Sequence, residues 1–202
     1  MPVTADISSS STSKDKSDSK ACFAGTETVL LESGESRSIS LIAVGDRVLA
    51  ADAGRRLLFS EVIFVPHRAN KEHAIFTHIT TALGRDLKLT DSHILPAGDC
   101  DSSSPFPHVY ASEVTVGNCI QTMSGIEKVV SVEVAPGLGL YTVVTKEQYV
   151  VVNGIIASPF AFNHVLGNSY YNIHRFIHSF YPDILRSPLL HSINEVGVLC
   201  CA

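Results

Sequence analysis

The stretch Ala21-Cys22-Phe23-Ala24-Gly25-Thr26 divides the chain into two unlike kinds of sequence. Before it, residues 1–21 hold seven serines interleaved with Lys and Asp. Such a segment buries too little apolar surface to offset its ordering entropy, so a disordered arm is expected there. After it, short apolar runs alternate with turn residues. Thr28-Val29-Leu30-Leu31 reads as a strand closed by Ser33-Gly34. Gly45-Asp46 leads into Arg47-Val48-Leu49-Ala50, and Asp52-Ala53-Gly54 turns into a strand from Leu57 to Val65, which Pro66 is expected to end. His73 to Thr81 and Asp86 to Leu89 read as a hairpin joined at Leu83-Gly84-Arg85, and Asp99 to Pro107 as a Ser- and Pro-rich loop. Short strands at this spacing predict an all-β domain.

The β sequence repeats itself once. Ala43-Val44-Gly45-Asp46-Arg47-Val48-Leu49 returns as Thr115-Val116-Gly117-Asn118-Cys119-Ile120-Gln121. The strand Glu61 to Pro66 returns as Ser131 to Pro136, and Leu87 to Asp91 returns as Tyr149 to Gly154. The offset shrinks along the chain, as loop deletions in the second copy would make it. Two β halves related by pseudo-twofold symmetry are expected. Beyond them, Ile173, Phe176, Ile177, Phe180 and Tyr181 recur at helical spacing, and Pro182 closes the pattern. The expected organisation is an arm over 1–21, a β domain over 22–167 and a short helical tail over 168–202.

Composition narrows the function. Hydrophobic residues make up 45% and charged residues 17%, enough for a packed core. A net charge of −5 without a basic stripe argues against nucleic acid. No run reaches the ~18 apolar residues of a membrane-spanning helix. The five cysteines, Cys22, Cys100, Cys119, Cys200 and Cys201, form no Cys-x-x-Cys pair, which excludes zinc-ribbon and thioredoxin-type motifs. His67, His73, His78 and His93 match no standard ligand spacing, so no metal and no cofactor is expected. A monomer is expected.

The chemistry-bearing residues are Cys22 and the box Thr90-Asp91-Ser92-His93. A thiol is a strong nucleophile, and Cys22 can reach back to the carbonyl of Ala21 through a five-membered ring. That attack would turn the Ala21–Cys22 amide into a thioester. The shift is uphill for an ordinary amide, so the fold must stabilise the oxyanion and protonate the departing amine. A turn that follows the strand Leu87-Lys88-Leu89 can aim Thr90 and His93 at one target. His93 would protonate the leaving amine and Thr90 would hold the amide or the oxyanion.

These residues, in this order, resemble the Hint module of Hedgehog autoprocessing domains. The resemblance rests on Cys22-Phe23, Thr28-Val29-Leu30-Leu31-Glu32-Ser33-Gly34, Val44-Gly45-Asp46-Arg47-Val48-Leu49, Phe59-Ser60-Glu61-Val62-Ile63, Thr90-x-x-His93 and Val151-Val152-Asn153-Gly154-Ile155-Ile156-Ala157-Ser158, and runs from about Cys22 to Asn168. It implies a Hint fold, a β disc of two intertwined, duplicated halves. It also implies a single-turnover self-cleavage in which Cys22 forms a thioester and a sterol, another lipid alcohol or water resolves it. Cys22 is then the nucleophile, Ala21–Cys22 the scissile bond, and Thr90 and His93 the promoters of the acyl shift. A secretory route is implied as well, although residues 1–21 lack the apolar region of a signal peptide.

Three positions depart from the family pattern. Ala21 stands where Gly is usual before the nucleophile. His67 falls where Hedgehog proteins carry the Asp that activates the sterol hydroxyl, and a neutral imidazole can do general-base work there. Pro159 replaces the second Cys of many relatives, which removes that partner for a disulfide with Cys22. The tail resembles the start of a sterol-recognition region, with Ile173, Phe176, Ile177 and Phe180 as the acceptor-binding face. The alternative is a Hint fold that no longer reacts and serves as an interaction module. Protein splicing needs a C-terminal Asn followed by a nucleophile, and the chain shows Leu199-Cys200-Cys201-Ala202 instead.

Overall fold

A computed structural model describes residues 21–101 and 105–160, together with Asn172 and Phe176; over 66–71 it describes the backbone alone. The Ser-rich arm before Ala21 lies outside these residues. Among the described residues, twelve strands form one continuous sheet. They are β1 (Phe23–Ala24), β2 (Thr28–Leu30), β3 (Ser36–Ser38), β4 (Arg47–Ala51), β5 (Leu57–Thr81), β6 (Asp86–Leu89), β7 (Ile94–Gly98), β8 (His108–Tyr110), β9 (Cys119–Thr122), β10 (Gly125–Thr145), β11 (Tyr149–Val152) and β12 (Ile155–Ala157). Their order is β3-β2-β11-β4-β5-β6-β1-β10-β9-β7-β8, with β12 joining β11 to β9 and an added β5–β10 pairing.

The repeat seen in the sequence is a repeat of backbone geometry. Short 3-10 turns occupy Ile39–Leu41 and Ala111–Glu113. After each comes a turn whose glycine is in the left-handed region, Gly45 at φ 100° and Gly117 at φ 101°. In the first half the Asp46 carboxylate accepts from the Ala43 N–H at 2.8 Å; in the second the Asn118 amide oxygen accepts from the Thr115 N–H at 2.9 Å. Gly45 N–H donates to Val62 O at 2.9 Å, as Gly117 N–H does to Val129 O at 2.9 Å. An amide oxygen at 118 does the work of the carboxylate at 46, which is why Asp-to-Asn drift leaves the turn unchanged. Part of the shrinking offset arises in the β9–β10 hairpin, where Thr122 pairs with Gly125, against Ala51 with Leu57 in β4–β5, and much of the rest in the long strands, since β10 has 21 residues against 25 in β5.

Pro66 does not end its strand. β5 runs on to Thr81, pairing along most of its length with β10. The register passes from Thr142↔His67 to Val144↔Phe64, so Val65 and Pro66 together face Val143 in a bulge. A bulge leaves one residue of the ladder unpaired, and a proline without an N–H loses nothing there. The β11–β12 hairpin turns on Asn153-Gly154, with φ of 49° and 78°. Both central residues of such a turn need positive φ, which Asn and Gly adopt most cheaply.

The interior is filled from both halves. Val48, Val62, Ile79 and Leu87 of the first pack with Ile120, Val129, Val150 and Val152 of the second in one buried cluster. Each such side chain contributes about 1.5–3 kcal/mol relative to exposure, so the halves do not bury a core separately. Cys100 and Cys119 form a disulfide that ties the end of β7 to the start of β9. Their Cα atoms are 5.0 Å apart because Gly98 pairs with Cys119 in the sheet. Of the expected C-terminal helix only Asn172 and Phe176 are described, and both are helical; the other helical elements among the described residues are the two 3-10 turns. Ile173, Ile177 and Phe180 lie outside them.

Candidate active site

Cys22 enters the core one residue before β1. Its neighbours are apolar: Ala24, Phe76 and Leu140, with Ala74 at the margin. It is 1% exposed and not disulfide-bonded. β1 is only two residues long, wedged between β6 and β10 through Phe23↔Leu89 and Phe23↔Tyr141. This wedge fixes the peptide bond that precedes it.

The Thr90 box arrives on the other side of that bond. Thr90 N–H donates to Cys22 O at 2.9 Å, continuing the β1–β6 ladder past Leu89. The Thr90 side-chain oxygen in turn accepts from the Cys22 N–H at 3.1 Å. His93 N–H donates to Thr90 O at 2.9 Å, so the box closes as a tight turn. The neighbouring Asp91 is held by the Thr77 hydroxyl at 2.6 Å. The turn brings the His93 ring beneath β1, 4.1 Å from the ring of Phe23.

His93 is fully buried, and neither Nδ1 nor Nε2 has a hydrogen-bond partner. Burial drives its pKa down from 6.5 to about 4, and the backbones of Ser158 and Cys22 offset part of this without reaching hydrogen-bond geometry. The imidazole is therefore neutral at physiological pH. Leaving a buried polar atom unsatisfied costs about 1–3 kcal/mol. A ring that bears this cost beside the backbone of a buried cysteine has its nitrogens open for proton transfer.

The carbonyl end of the same amide is held from across the sheet. The Thr142 hydroxyl of β10 donates to Ala21 O. Ala21 is itself buried, and Thr142 is 2% exposed. The Ala21–Cys22 amide is thus gripped at both ends, its N–H by Thr90 and its C=O by Thr142. The signature of the Hint module matches residues 8–186.

The chain belongs to the Hint family. It is 32% identical over 142 residues to Warthog protein 6 of Caenorhabditis elegans, an alignment covering 68% of this chain and 24% of that protein. It is 33% identical over 147 residues to the Indian hedgehog protein of Xenopus laevis, covering 69% of this chain and 36% of that one. The chain thus spans about a quarter to a third of these relatives. Among solved structures it is similar to the gp41-1 intein, with a TM-score of 0.54 and 20% identity over 69% of this chain and 99% of that one. The intein-like domain from Clostridium thermocellum superposes with a TM-score of 0.56, at 20% identity over 69% of this chain and 98% of the other. The family is an autoprocessing one.

Within this Hint domain, Cys22, Thr90 and His93 come together around one buried amide. His67 stands opposite Thr142 in the β5–β10 ladder, one strand away from that amide; its side chain lies outside the described residues. Phe176 is 66% exposed. Sequence reasoning missed Thr142. It sits 121 residues from Ala21 in a run of valines and threonines, Tyr141-Thr142-Val143-Val144-Thr145, that reads as plain strand. The buried acids lie elsewhere and serve the scaffold. Glu127 accepts from Thr81, Thr122 and Arg85, and Glu27 accepts from Asn153.

Proposed function

We propose that this Hint domain cuts its own chain between Ala21 and Cys22. The Cys22 sulfur attacks the Ala21 carbonyl carbon, and its proton passes to the neutral His93 imidazole. The new C–S bond forms as the carbonyl π electrons move onto oxygen. Collapse of that intermediate breaks the C–N bond, and His93 returns the proton to the Cys22 amine. The product is a thioester between Ala21 and Cys22. A sterol, another lipid alcohol or water then attacks the thioester carbon, and the Cys22 thiolate leaves with the acceptor's proton.

One observation carries this reading: the Ala21–Cys22 amide is buried, hydrogen-bonded at both ends by threonine hydroxyls, and flanked by a buried imidazole with two unused nitrogens. His67 is the candidate base for the second step, supported by its ladder position opposite Thr142. Residues Ile173, Phe176, Ile177 and Phe180 are the candidate acceptor-binding face. The Cys100–Cys119 disulfide supports an oxidising, secretory setting, as does kinship with a hedgehog protein.

The test is intact-mass analysis of a reporter fused ahead of the full chain, incubated with dithiothreitol, hydroxylamine, cholesterol or buffer alone. Hydroxylamine is included because it cleaves a thioester without reducing Cys100–Cys119. Cleavage by both nucleophiles, lost in Cys22→Ala, is the expected result. A released reporter heavier by one sterol identifies the acceptor; a plain acid identifies water. A reporter uncut under every condition would overturn the proposal and leave a fold that binds without reacting.

A further inference from the structure

We infer that Thr142 is a catalytic residue of this domain, the donor that stabilises the oxyanion on the Ala21 carbonyl. The inference rests on the self-cleavage proposed above and assigns it a group from the other half of the molecule. Thr90 does not fill that role here: its oxygen accepts from the Cys22 N–H, at the nitrogen end of the bond. The hydroxyl that meets the carbonyl oxygen is that of Thr142.

Three features fit it for the task. First, it is already aimed. The donor points at the carbonyl oxygen, the atom on which charge develops during attack. Second, it is dry. Thr142 and Ala21 are both buried, and Cys22, on the other side of the bond, packs with the apolar Ala24, Phe76 and Leu140. A hydrogen bond to a developing charge is strengthened in such a medium. Third, it is rigidly mounted. Thr142 lies inside β10, paired to His67 on one side, and the preceding residue, Tyr141, pairs with Phe23 of β1. The strand that carries the donor is thereby locked to the strand that carries the nucleophile.

The electron movement is explicit. As the Cys22 sulfur bonds to the Ala21 carbon, the C=O π pair becomes an oxygen lone pair, and the Thr142 O–H donates to it without giving up its proton. When the C–N bond breaks, the pair returns and the carbonyl reforms. The same oxygen takes charge again when the acceptor attacks, so Thr142 serves both steps.

The test uses the reporter fusion of the full chain at saturating hydroxylamine, which leaves Cys100–Cys119 intact, so that thioester formation limits the rate. Thr142→Val keeps the shape and removes the donor. It is expected to slow cleavage by about 10²–10³-fold, while Thr142→Ser, which keeps the hydroxyl, stays within about tenfold of the parent. Thermal unfolding separates this from a folding defect, and Thr142→Ala takes the place of the valine variant if that one does not fold. A second readout does not depend on cleavage. In a Cys22→Ala background with a 13C label at the Ala21 carbonyl, Thr142→Val should raise the labelled amide I frequency as the hydrogen bond is lost. Parental cleavage rates in a folded Thr142→Val, or an unmoved carbonyl band, would overturn the assignment and leave Cys22-dependent self-cleavage standing. Absence of Cys22-dependent cleavage in the parent would remove both.

Discussion

His93 joins chemistry to stability. Its pKa falls from 6.5 in the unfolded chain to about 4 in the fold because burial disfavours the charged ring. A lowered pKa means that the unfolded state binds the extra proton first. The stability that depends on neutral His93 is present above pH 6.5 and is lost as the pH falls towards 4. The loss amounts to about 3 kcal/mol. Urea unfolding of the uncleaved Cys22→Ala chain should show it, and His93→Gln should remove about one proton from the pH slope in that window. Glu27 acts in the opposite sense. Burial raises its pKa, helped by Asp86 and opposed by the backbone of Lys88, so its contribution is present below its unfolded pKa and is lost as the pH rises through the folded one. The Thr90-x-x-His93 box was legible in the sequence because four consecutive residues make one turn. Thr142 was not, because nothing local distinguishes a strand threonine that meets a carbonyl from one that faces a neighbour.

At the scale of elements, the approach of β1 to the β5–β10 ribbon depends on missing side chains. A Cβ on Gly137 of β10 would lie 2.7 Å from the Phe76 ring and 3.3 Å from the Ala24 Cβ. Phe76 and Ala24 belong to the apolar cluster around Cys22. Gly137→Ala should therefore cost about 1–3 kcal/mol and slow the acyl shift by displacing that cluster; denaturant melts and cleavage rates read the two effects separately. Pro66 teaches the converse lesson. A proline ends a strand only where its N–H would have been needed, and whether it is needed depends on the partner strand. The bulge opposite Val143 could not be read from β5 alone.

Among the described residues the molecule is a duplicated object in which the proposed site occurs once. Its symmetry was legible because matching turns need matching residue types, Gly45-Asp46 and Gly117-Asn118. The partnership of Cys100 with Cys119 was not, since it follows from sheet order rather than spacing. That bridge closes a loop of 19 residues and is expected to contribute about 3 kcal/mol. Cys100→Ser/Cys119→Ser should lower the unfolding midpoint while hydroxylamine cleavage persists, because neither sulfur belongs to the Ala21–Cys22 site. The chemistry, by contrast, is not duplicated. Thr90 and His93 follow β6, whereas the equivalent position after β11 is Asn153, whose side chain accepts from the Thr28 N–H and donates to Glu27 and to the Asp86 carbonyl.

The hydrogen bond from Thr142 to Ala21 spans 121 residues of chain, and this separation acts as a clock. A ribosome delivers Ala21, Cys22, Thr90 and His93 early, yet the donor to the carbonyl is translated only near the end of β10. During that interval the Ala21–Cys22 link is an ordinary peptide bond carrying whatever precedes it. Self-cleavage by the proposed chemistry begins once the second half has emerged and closed over the first, so the cut waits until both halves of the β domain have been made.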